Sequence, residues 1–266
     1  MSEFQTNGFG TYLLTGPQCA ESVATGVDAG YRHVDTAQSY QNEALVRQGL
    51  ESADVDRDDV FVATKLSTRN LGYEDAVDTA YESAARLGVD TIDLLYVHWP
   101  LETYDVEETT RALNELHDDG LVERIGLSNF RPDQLDDARD RLDSDLFAHQ
   151  VECHPLLQQD ELRAYAREHD HWLVAYSPLA RNEVADVDVI QDIADAHDAT
   201  PAQISLAWLD GLENVAAIPK ATSREHIEEN VAARDVTLTD DEMARIENIE
   251  AEHRIVDFDD APWNQN

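Results

Sequence analysis

A chain of 266 residues with 42% hydrophobic content is long enough to bury one large core, read here as a single domain over residues 1–266. Its 56 Asp and Glu outweigh 19 Lys and Arg to give a formal net charge of −37, and no basic run interrupts the acid, which excludes a nucleic-acid or anionic-membrane partner. Intrinsic disorder is excluded too, because regular apolar segments run from end to end.

The acid is spread over Asp54–Asp59, Asp136–Asp145 and Asp240–Glu242, which reads as solvated helix faces and loops. The run DVDRDD at 54–59 lacks the glycine and terminal glutamate of a calcium loop. Only Lys65 and Lys220 are lysines. Acid excess with lysine depletion suits a folded, salt-adapted enzyme of a high-salt cytoplasm, where self-repulsion is screened within a few Å. Two cysteines, Cys19 and Cys153, give no disulfide framework and point to a reducing compartment. No leader-like stretch and no 18-residue apolar span is seen, so a cytoplasmic protein is expected.

In chain order, strand-like apolar runs fall at Phe9–Leu14, Tyr31–Asp35 and Val60–Lys65. Helical spacing follows at Ala76, Ala80, Ser83, Ala84 and Leu87, closed by Gly88. The strand-like run Ile92–His98 leads to a helix through Leu113, Leu116 and His117, closed by Gly120. Glu123–Ser128 precedes a helix start at Pro132-Asp133, and Phe147–Glu152 and Trp172–Ser177 come next. Two helices at 188–197 and 201–209 precede the last strand, Asn214–Pro219; the second opens on Thr200-Pro201 with Gln203 three residues after the threonine. A further helix is expected at 239–250. Strands this apolar are buried on both faces, as an all-parallel sheet requires, so the pattern predicts a (β/α)8 TIM barrel with extra helices outside the ring. A doubly wound open sheet is the alternative.

Asp35, Lys65, His98, Ser128-Asn129, Gln150, Tyr176-Ser177 and Lys220 fall at the C-terminal ends of successive strands, which in a barrel converge on one face. Singly, each is also what a satisfied strand-end polar residue would be. Together, Asp35, Tyr40, Lys65 and His98 suit protonation of an alkoxide formed by hydride addition to a carbonyl. A phenol has an ordinary pKa of about 10. A neighbouring ammonium from Lys65 should lower it by about 1–3 units. Asp35 supplies the counter-charge that a buried lysine needs, and His98 can orient the carbonyl oxygen. One histidine and one aspartate do not make a metal site, and no nucleophile elbow is present.

The chain resembles the aldo-keto reductases along nearly its whole length. The resemblance is carried by GFGTY at 8–12, DAGYRHVDTAQSYQNE at 28–43, TKL at 64–66, LLYVHWP at 94–100, IGLSNF at 125–130, QVECHP at 150–155, AYSPLAR at 175–181 and IPKATSREHIEEN at 218–230. It implies reversible NAD(P)H-dependent reduction of aldehydes and ketones on a (β/α)8 barrel without a metal. It places the tyrosine acid at Tyr40 and its partners at Asp35, Lys65 and His98. The same resemblance implies that Ser128, Asn129 and Gln150 hold the nicotinamide carboxamide and that Tyr176 stacks on the ring. Thr11 and Asp35 would then contact the ribose, Ser177 and Leu179 the pyrophosphate, and Lys220, Thr222, Glu229 and Asn230 the adenosine end. Ala221 and His226 stand where the family has serine and arginine on the 2′-phosphate, and Arg224 is the nearby substitute. NADP(H) is therefore expected to be preferred, with NAD(H) possible. Tyr12 and Trp99, with His98, would line the substrate pocket for a small carbonyl compound. The short WPLETYD segment and the tail DFDDAPWNQN resemble the compact prokaryotic members similar to diketogluconate reductases. Cys153 and His154 read as packing residues, and His169 and His171 as solvent-facing. A catalytically silent cofactor-binding barrel, acting as a sensor or regulatory subunit, is the alternative function. A phosphate-binding isomerase would need a glycine-rich loop that YSPLARN and IPKATSR do not offer.

Overall fold

The computed structural model describes residues 3–265; residues 1, 2 and 266 of the expected domain lie outside it. The elements run β1 (Phe9–Gly10), α1 (Gly16–Ala29), β2 (His33–Asp35), α2 (Glu43–Ser52), β3 (Phe61–Leu66), α3 (Tyr73–Leu87), β4 (Leu94–Val97), α4 (Val106–Asp118) and β5 (Ile125–Ser128). They continue with α5 (Pro132–Arg139), β6 (Leu146–Glu152), α6 (Asp160–Glu168), β7 (Trp172–Tyr176), α7 (Asp188–His197), α8 (Pro201–Asp210), β8 (Val215–Ala217), α9 (Arg224–Ala232) and α10 (Asp240–Glu247). All eight strands are parallel and hydrogen-bonded in sequence order.

The ring closes where Gly8 N donates to Ala217 O at 2.8 Å and Gly10 N to Pro219 O at 2.9 Å. This seam explains Gly10: a Cβ there would lie 2.7 Å from the Ile218 carbonyl oxygen, a backbone atom that cannot give way. It also shortens β1 to two residues where Phe9–Leu14 was expected, because the chain turns at Leu13, which has φ 64°. The strands expected at Tyr31–Asp35, Ile92–His98, Glu123–Ser128 and Asn214–Pro219 are likewise trimmed at their ends.

Period-two alternation puts Phe61, Ala63 and Lys65 on one face of β3 and Leu94 and Tyr96 on the same face of β4. These pack with Ala148, Val174, Ala216 and Ile218 as the barrel interior. Phe4 seals the lower end against His33, Phe61, Phe147 and Trp172, with ring centroids 5.0–5.3 Å away. Midway up, Gly126 makes room for Tyr96; a Cβ there would lie 2.4 Å from that ring.

The outer faces of the strands pack on the helices in three further clusters. The Thr200 capping box forms as the spacing predicts, and Gly88 ends α3 in the left-handed region at φ 70°. Of the two helices before β8, α8 is buried from Ile204 to Leu209 and packs on β8, while α7 packs on α8 and α10 farther out. The acidic residues of the runs at 54–59 and 136–145 are exposed. His171 is a correction: it is 2% exposed, because the chain turns inward to start β7 directly after Asp170. Cys153 and His154 are buried, as packing residues should be.

Candidate functional site

A cavity of about 780 Å³ opens at the C-terminal ends of the strands. Asp35 and Lys65, at the ends of β2 and β3, lie at its base with 1% and 0% exposure. The Lys65 ammonium donates to Asp35 Oδ1 and, at 2.7 Å, to Thr36 O. The second Asp35 oxygen accepts from Gln150 Nε2 at 2.8 Å. Burial lowers the Lys65 pKa, and the Asp35 charge and hydrogen bond oppose that loss.

Tyr40 closes a short 3-10 turn, Gln38–Tyr40, and is half-buried at the cavity wall. Its ring centroid lies 5.3 Å from Lys65 Nζ and 5.6 Å from the His98 ring, edge-on. The turn is pinned by Gln38, whose Oε1 accepts from Ser67 N at 2.9 Å and whose Nε2 donates to Thr79 O at 3.0 Å. One expectation fails here. The Tyr40 phenol is pushed well above its ordinary value, first by burial and then by the Asp35 carboxylate, rather than lowered by Lys65. The lysine charge is spent on Asp35, so the phenol stays protonated.

His98 follows β4, and burial, then Lys65, push its pKa down to about 3, leaving a neutral ring. Ser39 Oγ lies 3.2 Å from His98 Nδ1, a contact that singling out Tyr40 alone did not reveal. Asn129, after β5, adopts φ 66°; its amide donates to His98 O at 3.0 Å and to Ser128 Oγ at 2.9 Å. Asn129 Oδ1 accepts from Tyr176 OH at 2.9 Å, which fixes the tyrosine ring at the end of β7.

Amide and hydroxyl groups of Ser128, Asn129 and Gln150 beside a flat Tyr176 ring suit a carboxamide-bearing heteroaromatic. Ser177 and Leu179 continue the lining toward Lys220, Thr222, His226, Glu229 and Asn230. There Ser223 caps the start of α9, and a helix N-terminus favours anionic groups. The donor set therefore fits a nicotinamide dinucleotide.

Two expected contacts lie elsewhere. Thr11 is fully buried and donates Oγ1 to Asp35 O at 2.9 Å, bracing the aspartate from behind rather than lining the cavity. Arg224 points outward and pairs with Glu228 one turn along α9 at 3.2 Å. Tyr12 and Trp99 line the opposite mouth, with Leu13 and Val256. Leu13, Val256 and the exposed Arg181 were not anticipated from the sequence. They lie in a turn, the tail and an irregular loop, where no periodicity marks direction.

Residues 8–251 match the aldo/keto reductase family. The chain is 37% identical over 243 residues, 90% of its length and 85% of the relative's, to the 9,11-endoperoxide prostaglandin H2 reductase of Trypanosoma cruzi. It is 34% identical over 252 residues, 94% of both chains, to the methylglyoxal reductase DkgB of Escherichia coli O157:H7. The crystal structure of MGS-M4, an aldo-keto reductase enzyme from a Medee basin deep-sea metagenome library, matches with a TM-score of 0.92 and 32% identity, covering 97% of this chain and 96% of that one. The chain therefore belongs to the aldo/keto reductase family. It is an NAD(P)H-dependent oxidoreductase that reduces carbonyl compounds on a (β/α)8 barrel.

The buried histidines generate a pH prediction. Burial pushes His98 and His149 down to about 3 and His171 to about 4. Unfolded imidazoles take up protons below about pH 6.5, so the unfolded chain binds more protons in the window from there down to about 3. Stability is lost as pH falls through that window. Neither ring nitrogen of His171 has a hydrogen-bond partner among the described residues. His171→Leu should therefore flatten the fall of Tm between pH 7 and 4, measured in fixed molar potassium chloride. An unchanged difference from wild type across that range would assign the acid sensitivity elsewhere.

Proposed function

We propose that Tyr40 is the proton donor in carbonyl reduction, that Lys65, Asp35 and His98 serve it, and that NADPH is preferred over NADH. The observation that carries the reading is the meeting of Tyr40, His98 and the Asn129–Tyr176 pair on one cavity, with the buried Lys65–Asp35 pair behind them. When bound, the reduced nicotinamide supplies a hydride to the carbonyl carbon.

The substrate oxygen lodges between the Tyr40 hydroxyl and the neutral His98 ring. His98 can donate one hydrogen bond there if its proton is on Nε2, with Nδ1 turned to the Ser39 hydroxyl. As negative charge grows on the oxygen, Tyr40 passes it the phenolic proton. A raised phenol pKa does not obstruct this, since an alkoxide is a far stronger base than a phenolate. The Lys65 ammonium then faces a tyrosinate, whose charge it stabilises through a water-poor interior. Asp35 keeps that ammonium charged and, through Gln150, ties it to the carboxamide side of the cleft. Ser128 and Asn129 orient the carboxamide, and Tyr176 supports the ring. Ser177 and Leu179 would pass along the pyrophosphate, while Lys220, Thr222, His226, Glu229 and Asn230 would hold the adenosine end. Tyr12 and Trp99 bound the substrate side.

We extend the reading to the whole chain: one domain, working in a reducing, salt-rich cytoplasm. Supporting this are two free cysteines, both buried and pushed up to about 11 and 12 by burial, and the dense acid surface. Among the described residues no helix is long and apolar enough to cross a membrane.

Tyr40→Phe should keep NADPH binding, read by fluorescence titration, and lose about 10²–10⁴-fold or more in turnover. Near wild-type turnover would sink the assignment. For cofactor choice, Lys220 and His226 are the basic side chains that line the adenosine end. Lys220→Ala should weaken NADPH while sparing NADH at one fixed ionic strength; equal loss of both would place the lysine elsewhere. The acid surface should make stability depend on salt. Tm is expected to fall as potassium chloride drops from molar, with a Debye length of about 3 Å, to about 0.01 M, where it reaches about 30 Å. A Tm independent of salt would refute the salt adaptation.

A further inference from the structure

Glu152 is the last residue of β6, two positions beyond Gln150, and its side chain is 0% exposed. A carboxylate shut away from water needs donors, and this one has three. Ile255 N donates to Oε1 at 2.6 Å, Val256 N to Oε2 at 2.7 Å, and the His154 ring contacts Oε1 through Nε2 at 3.0 Å. Because an ionised carboxylate only accepts, His154 carries its proton on Nε2. Burial alone would raise the carboxyl pKa; the hydrogen bonds from His154, Ile255 and Val256 bring it below the ordinary value.

Two of the three donors are consecutive amides of the C-terminal segment, more than a hundred residues downstream. That segment has no regular secondary structure between α10 and a single 3-10 turn at Pro262–Asn264. Past the anchor it packs beside the cavity. Val256 lines the cavity; the Phe258 and Trp263 rings lie 5.1 Å and 5.6 Å from Trp99, which lines it beside His98. Asp257 accepts from Trp263 Nε1 at 2.9 Å and from Asn264 Nδ2 at 2.7 Å, so the far side of this aromatic group is tied to the same short stretch. The buried carboxylate is thus the point at which a loose tail acquires a fixed position over the substrate side of the site.

We propose that Glu152 is a positioning residue that, acting through Ile255 and Val256, holds the C-terminal segment so that Trp99 and Val256 form an apolar wall, and thereby sets selectivity for aromatic carbonyl compounds over small ones. The proposal rests on the reading of this cavity as the reduction site. An aryl group buries more apolar surface against that wall than a three-carbon dicarbonyl held between Tyr40 and His98 can.

The test compares 4-nitrobenzaldehyde with methylglyoxal under saturating NADPH in molar potassium chloride. Glu152→Gln keeps the size but turns an N–H₂ toward one of the backbone amides. Its KM for nitrobenzaldehyde should rise about tenfold with kcat within about twofold, and kcat/KM for methylglyoxal should change less than about twofold. NADPH affinity should not move, and amides 255 and 256 should lose hydrogen-exchange protection. Phe258→Ala should raise the same KM, and the double variant should show less than the product of the two effects, since both act through one wall. Ile255→Pro deletes one of the contacts from the tail's side and leaves the barrel intact, so a poorly folding Glu152→Gln does not end the test. Equal loss on both aldehydes, weakened NADPH, or an unchanged KM ratio despite faster amide exchange would overturn the proposal. A wild type inactive on both aldehydes would instead overturn the reading of the cavity itself, and the selectivity claim with it.

Discussion

A lysine and an aspartate without access to water depend on each other, and the active face of this barrel is organised around that dependence. The Lys65–Asp35 pair sits at the transition between an apolar barrel interior and a polar mouth. Breaking such a pair from one side leaves an uncompensated buried charge, typically a loss of about 3–5 kcal/mol. The surroundings are arranged to prevent it. Thr11 and Gln150 brace Asp35, Thr36 accepts from Lys65, and Glu43, itself buried against Thr64 and Arg86, adds further negative charge near the lysine. The pair also adds to what burial does to its neighbours. Burial first, then the Asp35 charge, keeps the Tyr40 phenol protonated, and burial first, then Lys65, keeps the His98 ring neutral. A protonated phenol and a neutral imidazole thus follow from the dryness of the site and, second to it, from one ion pair.

Against a net charge of −37 this placement of cations has another side. Surface acid is cheap to solvate and contributes little pair energy where arginines meet it in i,i+4 contacts, such as Arg224–Glu228. The two lysines stand apart from that pattern, one at the base of the cleft and one at its rim.

Much of this was legible in the residues. Eight apolar runs with polar residues at their C-terminal ends can form few things other than a barrel, and strand-end residues such as Gln150 and Tyr176 sit where alternation places them. Strand lengths were less legible, because the apolar runs continue past the last ladder bond; Leu14 is buried by a turn rather than by a strand. The protonation of Tyr40 is hidden for a different reason. The sequence pattern brings Lys65 and Tyr40 to one face, but shows neither how far the phenol is buried nor that Asp35 pairs with the lysine. Arg224 shows the same limit: two positions before His226 on α9, its side chain pairs with Glu228 instead of lining the cleft. The anchoring by Glu152 is not legible within QVECHP, since two of its three partners lie more than a hundred residues away in a tail without periodic pattern.

The Phe4 plug at the lower end of the barrel has a consequence for water traffic. Rings of Phe4, His33, Phe61, Phe147 and Trp172 pack tilted and edge-on across the floor, and Tyr96 fills the layer above them. The interior is therefore a blind well rather than a duct. With Tyr40 as the acid proposed above, its lost proton would be replenished from the mouth, past whatever occupies the cleft, so that resetting the acid would be geometrically tied to emptying the site.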